Sequence, residues 1–444
     1  MKWRKSEFLI KISGIRTCRL STFSSKYSRL KASDMASAEQ SASVVRTDEI
    51  LSHPLDPLLP DEIERAVAIV REAHPDSKFA FNVVTMAEPK KESMLKWLQD
   101  SSASTPQRLV EVVAIEGGSN TLYEGLANLS TGKMDEWNAL DGVQPIISME
   151  DLVGVERVVR EDPQVIRQCE ILGISAADMH KVYCDSWTIG YDERFGSKTR
   201  LQQALMYYRA DKNDNQYSHP LDFCPIVDTE NKKVIYIDVP QLRRPLSKAP
   251  ASNYYPEDIM RGTGYRSDCK PINITQPEGV SFRMTGNTIQ WQNYTVHVGF
   301  NYREGIVLNN VTYDDHGKLR PLFYRLSLAE MVVPYGNPEH PHQRKHAFDL
   351  GEYGAGYMTN SLKLGCDCKG VIHYLDAHFP NRAGQSTTVK NAICIHEEDA
   401  GLLFKHSDFR NNATVVTRGR KLIISHIFTA GNYEYIVGFS KNNN

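Results

Sequence analysis

The order of predicted elements constrains the fold most strongly, because a helix followed by several strands occurs twice. Pro60 and Asp61 open a pattern in which apolar residues recur at helical spacing. Three strand-like stretches follow it, at Phe79–Thr85, Leu109–Ile115 and Thr121–Leu129. One helix packed on an antiparallel sheet would bury enough apolar surface for a small α+β unit.

A second unit with the same order begins near Ser148, which is predicted to cap a helix. Another helix is predicted at Pro163–Leu172, and strands are predicted at Val182–Ile189, Gln203–Tyr208 and Lys233–Val239. Sequence identity between the two units is too weak to make them a repeat, but their shared order indicates related domains.

Short alternating strands replace long helical patterns from about Pro256 onward. The clearest of these stretches are Ile289–Val298, Gly305–Leu308, Leu322–Leu328, Lys421–Phe428 and Tyr433–Phe439. Such a run predicts a large antiparallel β-sandwich. The predicted fold class is therefore α+β, with a disordered basic leader at 1–47, small α+β domains at 48–140 and 145–245, and the β-sandwich at 256–444.

Composition excludes several classes of function. Lys and Arg number 52 against 54 Asp and Glu, so the net charge near -2 gives no electrostatic basis for a nucleic-acid or acidic-membrane partner. No apolar run approaches the roughly 18 to 20 residues that span a bilayer. Residues 1–34 carry nine Lys or Arg and Ser-rich stretches, which fits either a transit peptide or an upstream start codon ahead of Met35.

The most specific motif is Thr429-Ala-Gly-Asn-Tyr-Glu-Tyr435. In isolation its Asn-Tyr pair is typical of a turn that opens a strand. The pattern T-x-x-N-Y-[DE], however, surrounds the precursor tyrosine of topaquinone in copper amine oxidases, and the chain resembles that family from His53 to about Tyr435. The resemblance is dense in His180–Arg194, Gln276–Phe282 and Asn301–Leu308, and it is strongest to the fungal, peroxisomal-type enzymes.

The resemblance implies a fold, a reaction and cofactors. The fold is two small α+β (cystatin-like) domains ahead of a β-sandwich catalytic domain, here incomplete. The reaction is oxidative deamination of a primary amine by oxygen, through a Schiff base, to aldehyde, ammonia and hydrogen peroxide. Tyr433 would be converted to topaquinone (2,4,5-trihydroxyphenylalanine quinone) with the help of copper, and the protein would be a homodimer.

The segment Ala347–Met358 matches the active-site segment of the family, which implies that Asp349 is the catalytic base. Without the resemblance, Asp349 is typical of a loop or capping acid. Tyr335 matches the tyrosine that hydrogen-bonds a quinone oxygen, although in isolation it is typical of a packed turn residue. The residues predicted to contact substrate are Ala347, Tyr353, Gly354, Ala355, Gly356, Tyr357, Met358, Ala430, Asn432, Glu434 and Tyr435.

The tyrosines and glycines of the segment Ala347–Met358 suggest the lining and the shape of the pocket. Tyr353 and Tyr357 would form the wall of an aromatic channel suited to the carbon chain of an amine. Glycines in the same segment let the backbone approach a ligand or another strand closely.

Two further clusters suggest metal sites. Cys366, Cys368, Cys394 and His396 could form a Cys3His zinc set, but one residue between paired ligands is a tight spacing. The resemblance instead implies a Cys368–Cys394 disulfide, with Cys366 free. His340-Pro-His342 could hold copper through two imidazoles, yet it lies in a proline-rich loop, and the family's ligands follow the quinone tyrosine.

The sequence departs from the family after Tyr435, and the copper-binding histidines are expected downstream of residue 444. We therefore expect no metal site within the chain, an unmodified Tyr433 and no turnover. Two interpretations follow: a primary-amine oxidase that has lost its C-terminus, or a non-catalytic fragment that serves as an interaction module. The compartment is predicted to be peroxisomal or cytoplasmic, and the leader leaves mitochondrial targeting open.

Overall fold

A computed structural model of the chain describes residues 8–14, 53–100, 102–190, 192–196, 199–255 and 268–442. Within these ranges the strands form two four-stranded sheets, two five-stranded sheets and one two-stranded ribbon. The predicted α+β fold class is confirmed, because two helix-and-sheet units precede a β-rich region. No helix in the described ranges is long and apolar enough to span a membrane.

The first unit packs one helix on a four-stranded antiparallel sheet. Helix α1 (Pro60–Ala73) begins at Pro60 as predicted, and its buried Ile63, Val67 and Val70 face the sheet. The sheet has the order β2-β3-β4-β5. Its strands are β2 (Phe79–Ala87), β3 (Leu109–Glu116), β4 (Leu122–Asn128) and β5 (Lys133–Leu140), with α2 (Lys91–Gln99) between β2 and β3. The sequence did not predict β5, because this edge strand is mostly exposed and lacks apolar alternation.

The second unit repeats this arrangement with two helices, α3 (Met149–Glu161) and α4 (Pro163–Ile171). The Ser148 hydroxyl accepts a hydrogen bond from the Asp151 amide at 3.1 Å, and the Asp151 carboxylate accepts one from the Ser148 amide, also at 3.1 Å. This capping box confirms the predicted helix start. The sheet order is β6-β7-β8-β9, with strands β6 (Val182–Thr188), β7 (Leu201–Tyr208), β8 (Cys224–Asp228) and β9 (Lys233–Asp238).

Two five-stranded sheets then face each other across one hydrophobic core. The first sheet has the order β10-β11-β12-β13-β14, and the second β1-β20-β19-β18-β17. Trp291, Val298 and Leu308 from the first sheet pack with Ile395 and Phe439 from the second. The strands of the first sheet are β10 (Phe282–Thr285), β11 (Thr288–Trp291), β12 (Tyr294–Asn301), β13 (Gly305–Asp315) and β14 (Lys318–Ser327). Those of the second are β1 (Phe8–Gly14), β17 (His373–Pro380), β18 (Ser386–Ser407), β19 (Thr414–Ala430) and β20 (Tyr433–Asn442).

Two sequence predictions differ from the structure. The single strand predicted at Ile289–Val298 is wrong, because the chain turns back at Gln292, whose φ is 52°, and pairs Trp291 with Tyr294. The leader was predicted to be disordered, but its residues Phe8–Gly14 form β1, which pairs antiparallel with β20. An unpaired strand edge such as that of β20 is a ready template for another extended segment. The rest of the predicted leader lies outside the described residues.

Candidate functional site

Tyr433 is the first residue of β20 and follows a two-residue hairpin turn. The turn is Gly431-Asn432, and Ala430 pairs with Tyr433 across it. Gly431 has a φ of 57°, a left-handed conformation that favours glycine in such turns. The Tyr433 side chain is 43% exposed. The ring of Tyr433 therefore lies at the end of the hairpin and is partly open to solvent.

Tyr335 reaches Tyr433 from a separate ribbon of two short strands. These strands, β15 (Val332–Pro334) and β16 (His346–Phe348), pair antiparallel. The phenol groups of Tyr335 and Tyr433 lie close enough to interact. Burial, followed by this contact with Tyr433, raises the pKa of Tyr335 well above its usual range. The structure thus brings together the two tyrosines that the sequence singled out.

Asp349 follows β16 and is 3% exposed. Its Oδ2 accepts a hydrogen bond from the Tyr435 hydroxyl at 2.6 Å. Tyr433 and Tyr435 are two residues apart on one strand, so their side chains lie on the same face, with ring centroids 6.3 Å apart. Tyr335, Asp349, Tyr433 and Tyr435 therefore form one group, which we call the Asp349 cluster.

Opposing effects act on the Asp349 carboxyl group. Burial raises its pKa above the usual range, and the nearby Glu330 carboxylate adds to this rise. The hydrogen bond from Tyr435 and the charge of Lys345 act in the opposite direction. The net pKa of Asp349 remains raised, so this carboxylate holds a proton more readily than an exposed aspartate does.

The loop that carries Asp349 is fixed to both the sandwich and the second unit. The Glu330 carboxylate accepts hydrogen bonds from the amides of Leu350 at 3.0 Å and Gly351 at 3.2 Å. Glu352 Oε1 accepts one from the Thr188 amide at 2.8 Å, which ties the loop to β6. The site therefore lies where the second unit meets the β-sandwich.

Gly354 and Gly356 lie against the turn between β12 and β13. A Cβ atom on Gly354 would come within 2.5 Å of the Tyr302 carbonyl oxygen, and one on Gly356 within 2.1 Å of the Asn301 carbonyl oxygen. The backbone that these glycines approach is thus another part of the chain. Ala355 between them is completely buried. Ala355 belongs to a buried apolar group with Leu350 and Ala430, and Tyr435 of the Asp349 cluster packs against this group.

A cavity of about 520 Å³ borders the turn that precedes Tyr433. Tyr353, Tyr357, Met358 and Ala430 all line it. The Tyr353 hydroxyl donates to the Ser186 carbonyl at 2.5 Å, and the Tyr357 hydroxyl donates to the Asn82 carbonyl at 2.8 Å. The other aromatic side chains that line the cavity are Phe81, Trp187 and Phe379.

The remaining predicted contact residues lie close to the cluster in the chain but differ in exposure. Ala347 is buried in β16 opposite Val333 of β15. Asn432 is half-buried in the hairpin turn, and Glu434 is exposed on β20.

The predicted disulfide is not formed in this structure, in which Cys368 and Cys394 are both free thiols. The two thiols nevertheless interact, and this interaction lowers the pKa of Cys394 and raises that of Cys368. Cys394 Sγ also lies 3.8 Å from His396 Nδ1, whereas Cys366 is exposed. In the part of the chain that the structure describes, no group of three or more His, Cys, Asp or Glu side chains could hold a metal ion.

The His-x-His pair also has a local explanation. His340 Nδ1 lies 3.0 Å from Arg344 Nη1 and 2.9 Å from the Gln343 side-chain amide. His340 is exposed and His342 is half-buried, so both imidazoles belong to the surface loop between β15 and β16.

Several charged residues near the site were not predicted from the sequence. Asp185 and Lys345 are the main examples. Asp185 accepts hydrogen bonds from Gln216 and Tyr217, each at 2.7 Å, and lies beneath Gly431. The dense resemblance across His180–Arg194 was the available signal for Asp185. Lys345 gave no such signal, because a lysine in a proline-rich loop is typical of a solvated side chain.

Comparisons with known proteins agree with this architecture. Residues 53–140, 150–257 and 283–443 match the sequence families described as "Copper amine oxidase, N2 domain", "Copper amine oxidase, N3 domain" and "Copper amine oxidase, enzyme domain". Copper amine oxidase 1 from Schizosaccharomyces pombe (strain 972 / ATCC 24843) is 58% identical over 392 residues, which cover 88% of this chain and 55% of the relative. The peroxisomal primary amine oxidase of Pichia angusta is 59% identical over 377 residues, covering 84% of this chain and 54% of the relative.

A solved structure shows the same relationship. The copper-containing benzylamine oxidase from Hansenula polymorpha superimposes with a TM-score of 0.80 at 32% identity, covering 88% of this chain and 62% of that one. The chain spans about half the length of the curated relatives it matches. Taken together, three family matches, two close relatives and one superimposable structure lead to the same conclusion: the chain belongs to the copper amine oxidase family.

Proposed function

We propose that the protein to which this chain belongs oxidises primary amines to aldehydes, consuming oxygen and water and releasing ammonia and hydrogen peroxide. Tyr433 is the residue converted to topaquinone, Asp349 is the base, and Tyr335 holds residue 433 in position. The observation that carries this proposal is the convergence of these three residues from separate segments into one cluster. The names of the matched relatives, amine oxidases of yeasts, support the same reaction.

The surroundings of Tyr433 fit an oxidised ring. Its side chain is 43% exposed, and the preceding Ala430 and Gly431 are small, so the ring has room to gain oxygen atoms and to turn. The quinone, once formed, would supply an electrophilic carbonyl for the amine nitrogen and a ring system able to take up two electrons. The described residues provide no set of three copper ligands, so the metal is assigned to none of them.

Asp349 performs the proton transfer in this proposal. Its carboxylate lies on the same side of β20 as Tyr433, because it bonds to Tyr435 two residues further on. Burial raises the pKa of Asp349, which makes the ionised form a stronger base toward a C–H proton of the bound amine. Tyr335, whose phenol group interacts with that of Tyr433, holds the ring of residue 433 in its direction.

The cavity beside the hairpin turn is proposed to receive the carbon chain of the amine. Tyr353, Tyr357 and Met358, together with Phe81 and Trp187, give it an apolar lining. Such a lining would exclude water from the amine while leaving its nitrogen free to reach Tyr433.

We also propose a homodimer located in peroxisomes. Strands β18 and β19 extend as a long hairpin whose tip exposes large apolar side chains, as expected of a surface buried in an assembly. These exposed residues are Leu402, Leu403, Phe404, Phe409, Val415 and Val416. The peroxisomal location follows the name of the Pichia angusta relative.

The test of the proposed reaction is peroxide release by a fusion protein that joins residues 1–444 to the remaining C-terminal part of the Pichia angusta relative. With a short aliphatic amine we expect turnover that Tyr433→Phe abolishes. Asp349→Asn should slow turnover by about 10² to 10⁴-fold, the usual contribution of a general base. The matched control Asp100→Asn changes an exposed aspartate and should have no effect. Equal rates for Asp349→Asn and the parent fusion protein would refute the assignment of the base.

A further inference from the structure

Lys345 is a buried lysine beside the Asp349 cluster, and the proposed reaction does not use it. It precedes β16 and is only 8% exposed. Its Nζ lies 4.0 Å from the centroid of the Trp187 ring and 4.5 Å from that of the Tyr335 ring. An ammonium group over a ring face is attracted by the ring's electron density, most strongly where water is excluded. The Lys345 ammonium therefore lies over the ring of Tyr335, the residue that interacts with Tyr433.

The neighbouring Arg344 holds Lys345 in this place. Arg344 Nη2 pairs with Asp238 Oδ2 at 2.5 Å, and Nη1 pairs with Asp192 Oδ2 at 3.2 Å. Its Nε donates to the Gln203 side chain at 3.0 Å. All three partners belong to the second unit, so the loop between β15 and β16 is fixed to that unit. The contacts of Arg344 therefore fix the backbone beside Lys345, so that Lys345 is held between the second unit and the β-sandwich.

Acidic groups from several elements act on the charge of the Lys345 ammonium. Burial lowers the pKa of Lys345 to about 8, and the nearby acidic groups oppose this effect. In turn, the positive charge of Lys345 lowers the pKa of both Asp349 and Asp185. The titratable groups that face it are Asp185 on β6, Cys224 on β8, Asp349 and Glu352 after β16, Tyr335 after β15, and His342 in the preceding turn.

We propose that Lys345 is a positioning residue for the amine oxidation: its ammonium keeps the buried Asp349 ionised and holds the Tyr335 ring against Tyr433. This inference rests on the proposed function for its role in catalysis. A buried carboxylate without a nearby cation takes up a proton, and in this protonated form it cannot act as a base. Tyr435 donates a hydrogen bond to Asp349. Among the residues that shift the pKa of Asp349, Lys345 is the one that carries a positive charge.

The direct test is a titration of Asp349 in the full 444-residue chain, followed by NMR of ¹³C-labelled aspartate carboxyl groups and assigned by the signal lost in Asp349→Asn. In Lys345→Met we expect the midpoint of Asp349 to rise by about one pH unit, the usual order of effect for the loss of a nearby opposite charge. The control Lys390→Met removes an exposed lysine that pairs with Asp376, and should leave the midpoint unchanged. An unchanged Asp349 midpoint in folded Lys345→Met would overturn the proposal.

A reciprocal titration covers the case in which Lys345→Met does not fold. The coupling between two titrating groups acts equally on both. Asp349→Asn is nearly isosteric, and should lower the midpoint of Lys345, measured by ¹⁵N NMR of its amine, below the value of about 8 in the parent chain. An unchanged Lys345 midpoint would refute the coupling.

Both titrations are independent of turnover, so they separate this inference from the proposed function. A fusion protein without oxidase activity but with linked midpoints would reject the function alone. An active fusion protein with unlinked midpoints would reject only the role of Lys345. In an active fusion protein, Lys345→Met should also move the acidic limb of the rate profile to higher pH, and Lys345→Arg should restore part of that shift.

Discussion

Gly356 determines how closely the segment that carries Asp349 can lie against the β-sandwich. Its Cα faces the Asn301 carbonyl oxygen at a distance that no side chain permits, since an added Cβ would come within 2.1 Å of that oxygen. Both contacting groups are backbone, so neither can rotate away. A residue that was predicted to contact substrate therefore has a structural role in this fold.

We predict that Gly356→Ala destabilises the protein by at least about 2 kcal/mol, because overpacking against a fixed backbone forces part of the fold to shift. The matched control is Gly154→Ala in helix α3, where an added Cβ meets nothing within 4 Å. Alanine there should be neutral or stabilise by up to about 1 kcal/mol. Urea unfolding of both variants gives the comparison. Equal stability of Gly356→Ala and the parent would contradict the packing described here.

The sequence predicted individual site residues unevenly. Tyr433, Asp349 and Tyr335 were predicted because the segments that contain them resemble segments of copper amine oxidases, and the structure brings them together. Lys345 was missed because burial of a lysine depends on contacts with Trp187, more than 150 positions earlier in the chain. Such long-range contacts leave no local pattern in the sequence.

Among the secondary-structure connections, the loop between β15 and β16 is the one that assembles the site. It carries Tyr335 at one end and Lys345 at the other, and Arg344 fixes it to the second unit through Asp192 and Asp238. Arg194 pairs with the same two carboxylates, at 2.8 and 2.9 Å. Two arginines and two aspartates thus form a closed network where the second unit meets the β-sandwich.

We predict that Arg344→Met costs about 3 to 5 kcal/mol of stability, because it leaves two buried carboxylates with only Arg194 as a partner. The matched control is Arg418→Met, which breaks an exposed pair with Asp399 at 2.7 Å and should cost at most about 1 kcal/mol. Unfolding in urea measures both values. A cost for Arg344→Met as small as that for Arg418→Met would show that the network does not stabilise the junction.

The elements themselves were largely predictable where their pattern was local. Ser148, Pro60 and Pro163 mark helix starts through capping and backbone geometry, and all three helices are confirmed. The turn at Gln292 was missed, since the residues on either side alternate as one strand would. The left-handed conformation at Gln292 is seen only in the structure, where Trp291 pairs with Tyr294 across the turn.

Across the whole molecule, one half-buried and two buried histidines lie at contacts between the regions and inside the sandwich. The His53 ring of the N-terminal segment stacks on the His297 ring of β12, with centroids 3.8 Å apart. His426 on β19 is completely buried, near Phe300 and Phe428. Burial lowers the pKa of His53 to about 4 and the pKa of His297 and His426 to about 3.

These shifts predict that stability falls as pH decreases from about 6.5 to about 3. In that window the unfolded chain, with histidine pKa near about 6.5, binds protons that the folded chain does not. Each of the three imidazoles contributes a slope of up to about 1.4 kcal/mol per pH unit. His426→Leu should remove one such contribution, measured as the slope of unfolding free energy against pH. A variant with the parental slope would contradict the assignment to His426.

The overall architecture was predictable because the order of helices and strands repeats, and because short alternating strands dominate after residue 256. The pairing of β1 with the edge of β20 was not, since it joins segments more than 400 residues apart. The position of the site between the second unit and the sandwich depends on contacts such as Glu352 with Thr188, which no local pattern reveals.

Tyr433 is the tyrosine that we propose becomes the quinone, and a quinone stain can detect this modification in the protein. The fusion protein is expressed with Cu(II), separated by electrophoresis and treated with a redox-cycling stain, with peptide mapping to locate the modified residue. We predict a stained protein whose modified peptide contains Tyr433, and no stain in Tyr433→Phe. A copper-loaded fusion protein that does not stain, or that carries its quinone at another residue, would contradict the claim.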